Sequence, residues 1–192
     1  MRRTLVLVLP LAILAGLPFA RGSDEPLVDG PEYTADGQLK FPADYREWVF
    51  LTSGLGMTYG SPMSQADDNP KFDNVFVNRP AYREFLATGH WPDKTIFVLE
   101  IRASQSKGSI NNGGHFQTDA VAREVHVRDH RRFQGHWGFF GFGHQEGTAK
   151  QIPMGASCYS CHEQHGAVDT TFVQFYPTLL KVAKEKGTYS ER

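Results

Sequence analysis

The chain has 192 residues, 21% of them charged, and a formal net charge of −1 at pH 7. That length suits one domain with a real core, and the neutral balance excludes the basic excess of a nucleic-acid binder and the acid run of a charged tail. Aromatic residues make up 12%, with 14 Phe, which suits the lining of an apolar cofactor pocket and equally a Phe-rich core.

Arg2 and Arg3 precede an apolar run, Thr4 to Leu17, that Pro10 breaks and that is short for a membrane span. Ala20-Arg21-Gly22 then offers a small-x-small cleavage site. Residues 1–22 read as a secretory signal peptide cut near Gly22, an uncleaved anchor being the alternative. The expected address is periplasmic or otherwise exported. Residues 23–40 are polar with Gly and Pro and read as a flexible lead-in. The folded domain is expected over 41–188, with 189–192 as a tail.

Asp44 caps a short turn leading into the strand-like Trp48-Val49-Phe50-Leu51. A long Gly-, Ser-, Asp- and Pro-rich loop over 52–71 follows, containing Met57 and Met63. Residues 72–78 read as a strand. Pro80 opens a helix that Gly89 stops. Residues 95–104 alternate, so that Phe97, Leu99 and Ile101 face one way and Ile96, Val98 and Glu100 the other. A Gly/Asn turn over 108–114 leads to two strands, 115–118 and 120–128, a polar turn, and an aromatic strand over 137–142. After residue 155 the chain is helical, with Asp169 as a cap and Pro177 kinking or dividing the last helix. These elements define an α+β fold, mostly antiparallel sheet, with a helix between early strands and a helical C-terminal part.

That C-terminal part carries Cys158-Tyr159-Ser160-Cys161-His162. Cys-x-x-Cys-His is the attachment pattern of a single covalent haem c: both thiols lie on one side of one helical turn, and the next residue, His162, is the proximal iron ligand. Other uses of this pair are a zinc site, for which the two cysteines of the chain need further partners, a redox dithiol, and a disulfide. Export agrees with haem attachment outside the cytoplasm. No Met follows the motif, so a sixth ligand comes from upstream or the site is open. Met57, in the Gly-rich stretch Ser53-Gly54-Leu55-Gly56-Met57, is the foremost candidate, ahead of Met63 and Met154. A bound thioether favours an electron carrier with His/Met ligation; an open site favours ligand binding. The remaining histidines read as surface residues, His136, His144 and His165 lying within reach of haem propionates.

Several stretches resemble the cytochrome P-460 and cytochrome c′-beta family. They are Asp44-Tyr45-Arg46-Glu47-Trp48-Val49, Asn74-Val75-Phe76-Val77, residues 95–101, Glu124-Val125-His126-Val127-Arg128-Asp129, Trp137-Gly138-Phe139-Phe140, the haem motif and residues 172–177. The resemblance implies an antiparallel β fold, a homodimer and a haem c with a proximal His. It also implies, as in several members, a distal side open to a small gaseous or nitrogen-oxide ligand; the electron-transfer reading adds a redox partner protein. Cytochrome P-460 proper has a lysine cross-linked to the haem edge; Val98-Leu99-Glu100-Ile101 puts Leu99 there, which points to the branch lacking the cross-link and away from hydroxylamine oxidation. Phe76, Phe97 and Leu99 are then expected to wall the haem pocket with apolar groups that favour neutral ligands over anions. Glu124, and also Glu100, are candidates for a second-sphere proton acceptor, a hydroxylamine-oxidising or peroxidase-like enzyme being the alternative function.

Overall fold

The alternating stretch forms as expected and is the middle strand of a five-stranded antiparallel sheet. The computed structural model describes residues 29–59, 68–133 and 137–192. In chain order the elements are β1 (Leu39–Lys40), β2 (Val49–Leu55), β3 (Phe72–Val77), α1 (Arg79–Thr88), β4 (Ile96–Gln105), β5 (Phe116–Arg128), α2 (His130–Phe133), β6 (Trp137–Gly141), β7 (Thr148–Ala149), α3 (Ser157–His165) and α4 (Pro177–Lys186). The sheet runs β2-β3-β4-β5-β6, and β1 pairs with β7 apart from it. The fold is α+β. Among the described residues no helix is long and apolar enough to cross a membrane. The signal peptide expected over 1–22, Met63 and His136 lie outside the described residues.

Each face of the sheet carries a packed apolar cluster, for a reason visible in the period-2 pattern. On the inner face Val77, Phe97 and Phe139 pack with Ala81 and Phe85 of α1, Leu179 and Ala183 of α4, and Trp91, Trp137 and Tyr176. On the outer face Val98, Val125, Val127 and Phe140 pack with Leu39, Phe41, Tyr45, Trp48 and Ala149. α1 starts with Pro80 in its first turn and ends on Gly89, at φ 79°, where a residue without Cβ is needed.

Several elements differ from the sequence expectation. The expected lead-in is, in its last part, structure: Leu39 is buried and pairs with Ala149. The expected tail is tied down, since the Ser190 N–H donates to the Ala167 carbonyl at 2.9 Å. The two strands expected over 115–128 are one strand, whose ladder to β4 shifts register between Ile101 and Ser104. Asp169 caps no helix. Pro177 divides the C-terminal region, with a 3-10 turn at Val173–Phe175 before it and α4 starting on it, because its ring is compatible only with a first turn.

Candidate functional site

The short helix α3 sets the site. Cys158 and Cys161 lie three residues apart, hence on one side of it, and both are free and partly accessible. Tyr159, between them, turns to the other side and anchors α3 on the sheet: its ring meets Phe139 edge-on at 4.5 Å, and its hydroxyl donates to the Ile152 carbonyl at 3.0 Å. His162 is enclosed by Phe139 at 4.8 Å, Phe172 at 4.4 Å and His126 at 4.9 Å, centroid to centroid. Its Nδ1 lies 2.9 Å from the Thr170 carbonyl. A carbonyl only accepts, so the proton is on Nδ1 and the lone pair is on Nε2. Burial lowers the pKa of His162, against the opposing pull of that hydrogen bond, which favours the neutral imidazole a metal requires.

The register of the sheet orders the inner face into rows. Val77, Phe97, His126 and Phe139 form one row across β3 to β6, beneath His162. The next rows are Val75, Leu99, Glu124 and Gly141, then Asp73, Ile101 and Ala122. Val77, Phe97 and Phe139 in the first row are buried, but Val75, Leu99, Ile101 and Ala122 stay only half-buried. On the other face of the same strands Val98, Val125, Asn74 and Glu100 are all buried. The inner face therefore has an apolar floor, beside the cysteine helix, that the described protein does not cover.

Carboxyl groups stand on this floor. Glu124 is directly opposite Leu99 on the β4–β5 ladder, and although its side chain is half exposed, partial desolvation raises its carboxyl pKa. Asp73 is raised by burial and then by the charge of Glu124, with Lys71 opposing. His126 lies with Nε2 4.0 Å from Glu124; burial first, then His162, hold its pKa well below the ordinary value, so it is neutral. Tyr59, in the loop after β2, comes within electrostatic range of Asp73, Cys161 and Glu124.

The sequence candidates divide accordingly. Cys158, Cys161, His162, Leu99 and Glu124 are brought to one face. Phe97 shares that face but is a core residue, packed against Trp91 at 4.8 Å and Trp137 at 5.5 Å. Phe76 is on the opposite face, edge-on to Tyr45 at 5.4 Å and Phe50 at 5.6 Å; the pleat turns it away from His162, so it walls no pocket there. Met57 reaches the inner face, but its sulfur lies where a Cβ on Gly54 would stand, 2.5 Å from it, at the β2 edge. Glu100 is no proton acceptor at the site: it is 1% exposed on the outer face and bound by Tyr45, Arg46, Arg102 and Asn74. His126, which the sequence reads as a surface residue, instead packs against Phe139 at 4.3 Å and His162 at 4.9 Å, and Asp73 and the Thr170 carbonyl carry no sequence signal of a role here. The alternation that placed Phe97 inward also places its ladder partner His126 inward, once the register is known.

The residues fit a haem. The two thiols and an imidazole with a free Nε2 share one side of α3, and the mainly apolar floor beside them is left uncovered by the described residues. Among the described residues no group of three or more His, Cys, Asp or Glu side chains converges as a bare metal ion needs. A sheet-based α+β domain that sets a Cys-x-x-Cys-His helix against such a floor has the build of a haem protein. The family model Cytochrome P460 matches residues 42–173, more than half of the chain and including the whole motif, and the chain belongs to that family. A search of curated proteins gives no match.

Proposed function

We propose that this chain is an exported c-type haem protein with one haem, bonded through Cys158 and Cys161 and held by His162, that binds a small neutral nitrogen oxide or diatomic molecule. The observation that carries this reading is the set of half-buried apolar residues Val75, Leu99, Ile101 and Ala122 beside α3, which the described protein leaves uncovered. The haem supplies an iron that takes a ligand and exchanges single electrons. The chain's own residues do the rest. His162 gives its Nε2 lone pair, and Leu99 with its half-buried apolar neighbours Val75, Ile101 and Ala122 excludes water. In this reading residues 1–22 are removed on export to the periplasm, the protein is a homodimer, and a redox partner protein resets the iron.

The test is the absorption spectrum of the mature protein, oxidised and reduced, before and after nitric oxide, for wild type and Met57→Ala. An open site gives broad high-spin bands, rapid uptake, and no difference between the two proteins. A sulfur-to-iron charge-transfer band that Met57→Ala abolishes, with slow uptake, makes the protein a His/Met electron carrier instead. Mass spectrometry of Cys158→Ser and Cys161→Ser tests the covalent bonds, each substitution being expected to remove one.

A second reading, hydroxylamine oxidation, has one observation in its favour: Glu124, with a raised pKa, stands opposite Leu99, where it would accept a proton from a bound substrate. Leu99 has no amine with which to cross-link. Turnover of hydroxylamine with an artificial electron acceptor, lost in Glu124→Gln, would support this reading; turnover no faster than free haem would end it.

A further inference from the structure

Asp169 and Thr170 are consecutive non-glycine residues with positive φ, 46° and 59°. Left-handed backbone is unusual for a β-branched residue, and such strain persists only where the surroundings over-determine it. Here they do. The Trp91 N–H donates to Asp169 Oδ2 at 2.8 Å, His90 Nδ1 lies 3.1 Å from Oδ1, and Arg128 Nη1 lies 3.0 Å from Oδ2. The Trp137 indole N–H donates to the Asp169 carbonyl at 2.8 Å. The Trp91 indole N–H donates to the Thr171 hydroxyl at 2.9 Å, which donates on to the Val168 carbonyl at 2.7 Å. Arg128 in turn lies over the Trp137 ring, 5.9 Å from its centroid.

None of the groups gripping this turn belongs to α3. Trp91 follows α1, while Arg128 and Trp137 come from β5 and β6. The turn they strain presents one carbonyl, that of Thr170, to His162 Nδ1. A relaxed loop would hold a surface turn with fewer partners and no strain. The result of this arrangement is a fixed acceptor for the proton of a single imidazole.

We infer that Asp169, with Arg128, Trp91 and Trp137, is a positioning bracket that fixes the Thr170 carbonyl on His162 and thereby sets how strongly that imidazole donates to the iron. The inference rests on the reading of His162 as the haem ligand. A firm Nδ1–H···O bond raises the basicity of Nε2, strengthens the iron–histidine bond and favours oxidised iron.

The experiment uses the haem-loaded protein and reads the iron–histidine stretching band by resonance Raman, the reduction potential, and the melting temperature. Trp137→Phe keeps an aromatic ring beside Arg128 and Phe97, though a smaller one, and removes the bond to the Asp169 carbonyl. Asp169→Ala removes all the side-chain anchors. Asp169→Asn tolerates the backbone and keeps an acceptor for Trp91. Trp137→Phe and Asp169→Ala should lower the stretching frequency and shift the balance toward reduced iron by about tenfold, ~59 mV for one electron, with Asp169→Asn closer to wild type. Phe76→Ala, on the far face, should lower the melting temperature without moving the band, which separates positioning from stability. Unchanged band and potential in Trp137→Phe overturn the bracket, whatever happens to stability and even if Asp169→Ala fails to fold. Wild-type protein without covalent haem overturns the haem reading instead. The bracket is then judged by NMR exchange of the His162 Nδ1 proton in the apo chain: slow in wild type and fast in Trp137→Phe if it exists, equally fast in both if it does not.

Discussion

Replacing Gly166 by alanine is the sharpest probe of how the turn after α3 is seated. Gly166 follows α3, and its N–H donates to the His162 carbonyl at 2.9 Å. A Cβ built on it would lie 2.4 Å from the Thr170 carbonyl carbon, 2.6 Å from the His162 carbonyl oxygen and 2.7 Å from the Thr170 Cα. All three are backbone atoms, so no side chain can swing away. Restoring ordinary contact means going from 2.4 to at least 3.4 Å, a displacement of about 1 Å of one segment against the other. The bond from His162 Nδ1 to the Thr170 carbonyl is 2.9 Å long, and lengthened by that amount it is no longer a hydrogen bond. Overpacking costs about 1–3 kcal/mol and the lost bond about 0.5–1.5 kcal/mol, so Gly166→Ala should destabilise by about 1.5–4.5 kcal/mol. For a chain of this size that is a fall in melting temperature of roughly 3–18 °C. Thermal and urea unfolding read the stability, and NMR exchange of the imidazole proton reads the bond. A variant that melts within about 2 °C of wild type and keeps that proton protected would refute the reasoning.

The buried Glu100 network predicts the acid limb of stability. Burial pushes the Glu100 carboxyl up, but hydrogen bonds from Tyr45, Arg102 and Asn74 and the charge of Arg46 outweigh it, and its pKa is lowered from 4.5. A depressed folded pKa means this contribution is complete above the unfolded value and is lost as pH falls below 4.5 through the folded one. Glu100→Gln should cost about 1.5–3 kcal/mol at pH 7 and flatten the loss in acid; urea unfolding at a series of pH values checks it, an unchanged acid slope counting against it. The two faces of the sheet make a paired prediction. Leu99→Ala should change nitric oxide uptake and the absorption bands, whereas Phe76→Ala should lower stability by about 3 kcal/mol and leave both unchanged. Stopped-flow binding decides it, and an altered uptake rate in Phe76→Ala would mean that the face assignment is wrong.

Local order was legible in the residues themselves. Cys158, Cys161 and His162 are contiguous, so one helical turn suffices to bring them together, and no distant contact is needed to recognise the pattern. The strand at 96–105 and the helix between Pro80 and Gly89 were equally plain, because alternation and terminal residues act within a few positions. What sits on each face was not. Phe72, Asn74 and Phe76 alternate with Asp73, Val75 and Val77, and both sets hold apolar groups because each face of the sheet carries a buried cluster. Only packing against Tyr45 assigns Phe76 to the outer one.

Tertiary structure alone decided the roles of Glu100, His126 and Asp169. The partners that bury Glu100, Tyr45 and Arg46, lie 55 and 54 residues away in sequence. His126 meets His162 because β5 is paired to β4 in one register; a slip by one residue would turn it to the other face. Asp169 is gripped by Trp91, 78 residues earlier. A periodic pattern states that a side chain faces one of two sides. Which side holds the cysteine helix, and what lies across from it, follows only when strands far apart in the chain bury their apolar surface against each other, since burial depends on every partner at once and no local window contains them.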